Sequence, residues 1–212
     1  MTDNIFNRNL LQLENLFGSA IISEKKKRLF EISNNTEESW QKNVERLSNK
    51  KVDHILIAEA APWSDGGVPR YFYNKMESSY HKKIWRAFFP YNEIPADDET
   101  AFGMLADKSF LLIDTLPFSM SYKGRRDRNA YFEIISNSLE WWIEKLNNSK
   151  LKLSQQVNIA FAFKVNGLKV INATGGQLKL KDRQTIRLTE NLIAADGSGY
   201  TSSEKLRTIY KL

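Results

Sequence analysis

The sequence contains no cysteine and only two histidines among its 212 residues. Without cysteine there is no disulfide framework, cysteine nucleophile, thiolate zinc site or iron–sulfur cluster. The two histidines, His54 and His81, leave little material for a metal cluster or a histidine-based catalytic triad. We interpret each as structural or solvated, and the alternative is an acid–base role. The sequence therefore predicts a protein that uses no metal and no cofactor.

Long hydrophobic runs are also missing. No segment approaches the roughly 20 consecutive apolar residues that span a bilayer. The N-terminal stretch is amphipathic and contains Asp3 and Glu14, unlike a signal peptide. We therefore expect a cytoplasmic protein without a membrane partner. The sequence also has no GxxxxGK[ST] phosphate loop, no GxGxxG after a strand and no GxSxG nucleophile elbow.

The charges that are present are unevenly spread. Lysine and arginine total 31 against 25 acidic residues, a formal charge of +6, and residues 164–212 carry most of this excess. Such a basic region suits a phosphate backbone, and the alternative is a solvated lysine-rich surface. The apolar content of 42% predicts a folded chain. We expect one domain over residues 1–212, with 1–50 as a helical extension packed on it, and a monomer.

Apolar spacing predicts helices in the first fifty residues, with a break at Gly18, and then buried strands that alternate with helices. The predicted strands cover residues 52–60, 109–118, 156–163 and 191–196. The predicted helices after them cover residues 75–89, 98–106, 129–146, 165–170 and 202–210. Continuous apolar strands joined by helices are typical of parallel sheets covered on both faces. The predicted fold is α/β, a three-layer α/β/α sandwich with a mainly parallel four-stranded central sheet.

In such sheets the ligand crevice lies at the carboxyl ends of the strands, so the loop after each strand is informative. The first loop offers Glu59 and Asp65 as carboxylates and Trp63 and Phe72 as rings that can stack on a flat ligand. The alternative for each ring is that it only packs the loop against the domain.

Two later loops carry groups suited to phosphate. Lys123, Arg125 and Arg126 follow the second predicted strand, where the alternative is a surface charge run. Ser198 and Gly199 lie just before the last helix, whose first amides can hold a phosphate. The alternative there is that Ser202 is only the helix cap.

The stretch ILIAEAAPW, residues 55–63, resembles the first motif of the uracil-DNA glycosylase superfamily, a G-[EQ]-x-P-x pattern after the first strand. The resemblance extends over about residues 52–212. It implies that Glu59 lies at the acidic or amide position of that motif and that Phe72 is the ring that stacks on the base. It also implies that Asp114 reads the base edge where family members commonly carry Asn, and that Ser198 lies in the region of the final motif.

The resemblance implies a DNA-glycosylase-like protein that hydrolyses the N-glycosidic bond of a uracil-like or damaged base flipped out of DNA. Glu59 or Asp65 would position the water, and no cofactor would be needed. Two alternatives stay open. One is a non-catalytic module that binds a nucleotide or nucleic acid, and the other is a hydrolase that acts on a free nucleoside.

Overall fold

A computed structural model describes most of the chain, namely residues 3–119, 128–180, 185–197 and 199–212. The core of the fold is a parallel sheet of three strands, β1 (Lys51–Ala58), β2 (Phe110–Asp114) and β3 (Lys152–Phe161). The strand order is β2-β1-β3, so β1 lies in the centre and pairs in parallel with both neighbours. The later half of β1 and all of β2 are buried, as their continuous apolar runs predict.

The prediction of a fourth strand over residues 191–196 is wrong. The described parallel sheet has three strands rather than four. A 3-10 helix occupies Glu190–Leu192, and Ile193 then makes a single parallel bridge with Phe161 of β3. The chain leaves the sheet at once because Ala195 pairs with Thr201 of the loop that follows. The apolar run in residues 191–196 is too short to pair further with β3 before the chain turns away.

Helices alternate with the strands along the chain as the pattern predicts, and the structure therefore confirms a mixed α/β fold. They are α1 (Asp3–Arg8), α2 (Leu10–Phe17), α3 (Ser19–Leu47), α4 (Ser79–Phe88), α5 (Asp98–Asp107), α6 (Arg128–Asn137), α7 (Leu139–Leu146), α8 (Lys164–Ala173) and α9 (Ser203–Tyr210). A short antiparallel hairpin, β4 (Gln177–Lys179) with β5 (Thr185–Arg187), was not predicted.

Two helix boundaries show why the pattern succeeded and where it failed. Gly18 separates α2 from α3 as predicted, because its φ of 87° is strained for other residues. The single helix predicted over residues 129–146 is instead two helices that meet at Ser138. The amide of Ser138 is shared between the carbonyls of Ile134 and Ile135, which tightens the last turn of α6.

The long helix α3 reaches the edge strand β2 through the side chain of Trp40. Trp40, in the C-terminal part of α3, is fully buried, and its Nε1 donates to the Leu112 carbonyl of β2 over 3.2 Å. The amide of Leu112 donates to the Tyr73 hydroxyl over 2.7 Å. Aromatic side chains thus occupy both hydrogen-bonding groups that Leu112 would otherwise offer to another strand.

Candidate functional site

The carboxyl ends of β1 and β2 lie side by side. In the parallel register Ala58 is opposite Asp114. Backbone pairing continues beyond the strands, since the amide of Thr115 donates to the Ala58 carbonyl over 3.1 Å and the amide of Leu116 donates to the Glu59 carbonyl over 3.0 Å. These bonds hold Glu59, the first residue after β1, beside Asp114, the last residue of β2.

Glu59 is buried, with 4% of its surface exposed, and its carboxylate is held by a side chain from α6. The Tyr131 hydroxyl donates to Glu59 Oε1 over 2.5 Å. The hydroxyl of Thr115 donates to the Glu59 main-chain carbonyl over 3.1 Å. Both the backbone and the side chain of Glu59 are therefore fixed by hydroxyl groups from other parts of the chain.

Asn166 completes this cluster from the first turn of α8. It is 1% exposed, and its Nδ2 lies 2.9 Å from Thr115 Oγ1 and 3.5 Å from the Tyr131 hydroxyl. Its Oδ1 is buried and accepts no hydrogen bond within the described part of the chain. Sequence reasoning passed over both Asn166 and Tyr131, although the position of Asn166 just after β3 was the available signal.

Asp114 is buried as well, and its protonation differs from that of an ordinary aspartate. Burial raises the pKa of the Asp114 carboxyl to about 7; the Lys145 ammonium opposes this rise and the Glu59 charge adds to it. No hydrogen bond from any described residue reaches this carboxyl. A carboxyl group that is partly protonated near neutral pH therefore lies next to Glu59.

Lys145 of α7 is a buried cation near Asp114 that the sequence pattern did not reveal. Its Nζ forms an ion pair with Glu37 over 2.8 Å and lies over the rings of Trp40 and Trp141, at 4.2 and 4.6 Å from their centroids. Burial lowers the pKa of Lys145, and the ion pair with Glu37 opposes that shift. The carboxyl of Asp114 thus faces a positive charge from the side of α3 and α7.

The outer half of the first loop has different surroundings. Trp63 Nε1 donates to Asp65 over 2.8 Å, and Lys25 of α3 lies 4.4 Å from the Trp63 ring centroid and 3.6 Å from the Asp65 carboxylate. Arg28 of α3 donates to the Ser64 carbonyl over 3.0 Å. The Asp65 side chain is 88% exposed. The structure therefore gives the two predicted carboxylates separate neighbours.

Phe72 is a core residue in this structure, with 5% of its surface exposed. Its ring stacks on the His81 imidazole, with centroids 4.8 Å apart and planes 14° apart. His81 Nε2 lies 2.9 Å from the Phe72 carbonyl, and burial lowers the pKa of His81. A base could stack on Phe72 only after displacing these contacts, so that role stays a prediction, whereas His81 has the structural surroundings we expected.

The final loop packs against its neighbours. Gly199, with φ of +85°, donates to the Asp196 carbonyl over 2.9 Å, and its own carbonyl lies 3.4 Å from the amide of Lys164. Ser202 caps α9 by accepting from the amide of Lys205. The other residues predicted to bind nucleic acid lie outside the described residues: Lys123, Arg125, Arg126 and Ser198.

Among the described residues, no group of three histidine, aspartate or glutamate side chains could hold a metal ion. None of the helices described is long and apolar enough to cross a membrane. Comparisons with protein-family models, with curated proteins and with solved structures found no match for this chain.

Proposed function

We propose that this protein hydrolyses the N-glycosidic bond of a uracil-like or damaged base that has been flipped out of DNA. The observation that carries the proposal is the register that puts Ala58 opposite Asp114, because it brings two buried carboxyl groups together where parallel sheets bind ligands. The resemblance of residues 55–63 to the first motif of uracil-DNA glycosylases supports the same reaction.

Glu59 is the group that acts on water in this proposal. A water oxygen attacks C1′ of the deoxyribose, the C1′–N bond breaks, and its electron pair leaves with the base. The water gives one proton to the Glu59 carboxylate, which also stabilises the positive charge that develops on the sugar. The hydrogen bond from Tyr131 keeps this carboxylate in one orientation.

Asp114 recognises the base edge as a neutral acid. An ionised carboxylate only accepts hydrogen bonds and repels the carbonyl oxygens of uracil, whereas a protonated one both donates and accepts, as an asparagine amide does. With its pKa raised to about 7 by burial, Asp114 can donate to a carbonyl oxygen of the base. That hydrogen bond strengthens as negative charge builds on the leaving base.

DNA is the proposed partner, and its phosphates would be bound by Lys123, Arg125 and Arg126 and by the loop that contains Ser198 and Gly199. Trp63 would flank the flipped base from the outer half of the first loop. The proposal includes a monomer in the cytoplasm, with helices on both faces of the sheet in three layers. Replacing the three cations with alanine should weaken DNA binding and reduce its dependence on salt concentration.

The test is cleavage of labelled single- and double-stranded oligonucleotides that carry uracil, hypoxanthine or xanthine, followed by alkali to break abasic sites. Wild-type protein should cleave at one of these bases, and the Glu59→Gln variant should cleave at least about 100-fold more slowly. Glu93→Gln makes the same change at an exposed position and is the matched control. Cleavage at the wild-type rate in Glu59→Gln, or wild-type protein in excess that cleaves none of the bases, would contradict the proposal.

A non-catalytic binding module is the second candidate, and one observation favours it. Glu59 is almost fully buried, and its carboxylate already accepts a hydrogen bond from Tyr131. A carboxylate held in this way can serve simply to fix the position of a ligand. In that case the protein should bind one of the same oligonucleotides without cleaving it, and Glu59→Gln should change affinity alone.

A further inference from the structure

The hydrogen bonds around Glu59 have a fixed direction. A hydroxyl group has one proton to donate. Tyr131 donates its proton to Glu59 Oε1, and Thr115 donates its proton to the Glu59 main-chain carbonyl. Toward any other neighbour, these two hydroxyl oxygens can therefore only accept.

Asn166 is that other neighbour, so it must present donors to both hydroxyls. Its Nδ2 supplies two protons, and it lies 2.9 Å from Thr115 Oγ1 and 3.5 Å from the Tyr131 hydroxyl. The amide orientation is thus set by the protons already committed to Glu59. As a result Oδ1 points away from both hydroxyls, and this buried oxygen accepts nothing from the described residues.

A buried amide oxygen without a donor costs free energy, and such groups normally have a partner in the working protein. This oxygen belongs to a side chain one hydrogen bond away from the hydroxyl that holds the Glu59 carboxylate. A hydrogen-bond donor from a bound water or ligand would satisfy it.

We propose that Asn166 is a further catalytic residue whose Oδ1 accepts a hydrogen bond from the attacking water, and that Tyr131 is a positioning residue acting through Glu59. This inference rests on the proposed hydrolysis. The water donates one hydrogen bond to Glu59 and the other to Asn166, which points its lone pair at C1′. Glu59 takes the first proton, and the second hydrogen remains on the new C1′ hydroxyl group.

The principal variant is Asn166→Asp, which keeps the size of the side chain but replaces the donor with an acceptor. The new carboxylate competes with Glu59 for the hydroxyl protons of Tyr131 and Thr115. We expect kcat for the cleaved oligonucleotide to fall by about 100-fold, the lower range for loss of proton-transfer geometry. KM should change by less than about threefold, because the DNA contacts are elsewhere. Asn172→Asp, an exposed change on the same helix, is the matched control and should leave both constants unchanged.

Tyr131→Phe is the second variant, in case Asn166→Asp does not fold. It removes only the hydroxyl group, and it should lower the single-turnover rate constant for cleavage by about tenfold or more. In a Glu59→Gln background the same change should have no further effect, because Tyr131 acts through that carboxylate. A purely structural role would instead lower stability equally in both backgrounds.

Four outcomes overturn the inference, and they are distinguishable. If wild-type protein cleaves but Asn166→Asp matches Asn172→Asp, or Tyr131→Phe matches wild type, this inference alone fails. If Asn166→Asp keeps kcat but loses affinity for an uncleavable 2′-fluoroarabino version of the substrate, Oδ1 contacts the base and not the water. If wild-type protein cleaves none of the three bases, the proposed function fails and the inference falls with it.

Discussion

The two carboxylates of the first loop, Glu59 and Asp65, are only six positions apart, yet their surroundings are opposite. Glu59 is 4% exposed and is fixed by hydroxyl groups, whereas the Asp65 side chain is 88% exposed and lies beside Lys25. The inner end of the loop continues the backbone pairing of the sheet, and the outer end rests on α3. Glu59 directly follows a strand and Asp65 does not, and this position in the chain decides which of the two carboxylates lies in a water-poor site.

The largest expected effect compares these two carboxylates directly. Glu59→Gln should lower kcat by about 10²–10⁴-fold because it removes the group that accepts the proton. Asp65→Asn should change kcat by less than about threefold, since solvent screens its charge. Single-turnover cleavage of the same oligonucleotide measures both variants. Equal losses in the two variants would mean that the loop acts as one unit.

The two aromatic rings of the loop should differ in stability. Phe72→Ala should reduce the free energy of unfolding by about 3–5 kcal/mol, because it leaves a cavity beside His81 in the core. Trp63→Ala is the comparison, and we expect a smaller loss because that ring is partly exposed. Urea denaturation followed by circular dichroism measures both. A Phe72→Ala protein as stable as wild type would show that the ring is free to leave the core.

The Asp114 carboxyl should make stability depend on pH. Its folded-state pKa of about 7 exceeds the usual aspartate value, so the folded protein holds a proton that the unfolded chain has lost. Stability from this group is therefore present at low pH and falls as pH rises toward 7, by at most about 1.4 kcal/mol per pH unit. Asp114→Asn should remove this slope.

Urea denaturation at pH 5, 6, 7 and 8 measures that slope, and Asp107→Asn, an exposed aspartate, is the control. Base cleavage by wild-type protein should also fall above about pH 7, as Asp114 loses the proton that it donates. Asp114→Asn, whose amide donates at every pH, should keep its cleavage rate. An unchanged pH dependence in Asp114→Asn would assign the titration to another group.

The smallest effect concerns the outer end of the loop. Lys25→Met removes the cation over Trp63 and the ion pair with Asp65. Exposed pairs of this kind contribute about 0.2–1 kcal/mol, so the free energy of unfolding should fall by no more than that. Because salt screens the pair, the difference from wild type should shrink at high ionic strength. A larger loss would show that α3 supports the whole loop through this one contact.

The sequence predicted the features that depend on local pattern. Apolar spacing located β1 and thereby the position of Glu59 at its carboxyl end, and Trp40 and Val44 of α3 are buried as that spacing requires. Residues 191–196 were misassigned because a short apolar run cannot tell a strand from a segment that makes one bridge.

The partners of Glu59 could not be predicted in the same way. Tyr131 lies 72 positions away and reaches Glu59 only through the packing of α6 on the sheet. Asn166 and Lys145 are likewise brought in by helices whose orientation no local pattern specifies. The raised pKa of Asp114 follows from this tertiary burial, so its capacity to donate a hydrogen bond was invisible from residue type alone.

The hydrogen bonds from Trp40 and Tyr73 to Leu112 have a consequence for anyone who trims this protein to a smaller unit. Removing the helices before β1 would leave the Leu112 carbonyl of β2 without its indole partner. β2 is an edge strand whose first four residues are apolar, and such a strand becomes a template for intermolecular strand addition when it loses part of its cover. We expect such a truncated chain to aggregate, so the α3 helix serves as a solubility element as well as a packing element.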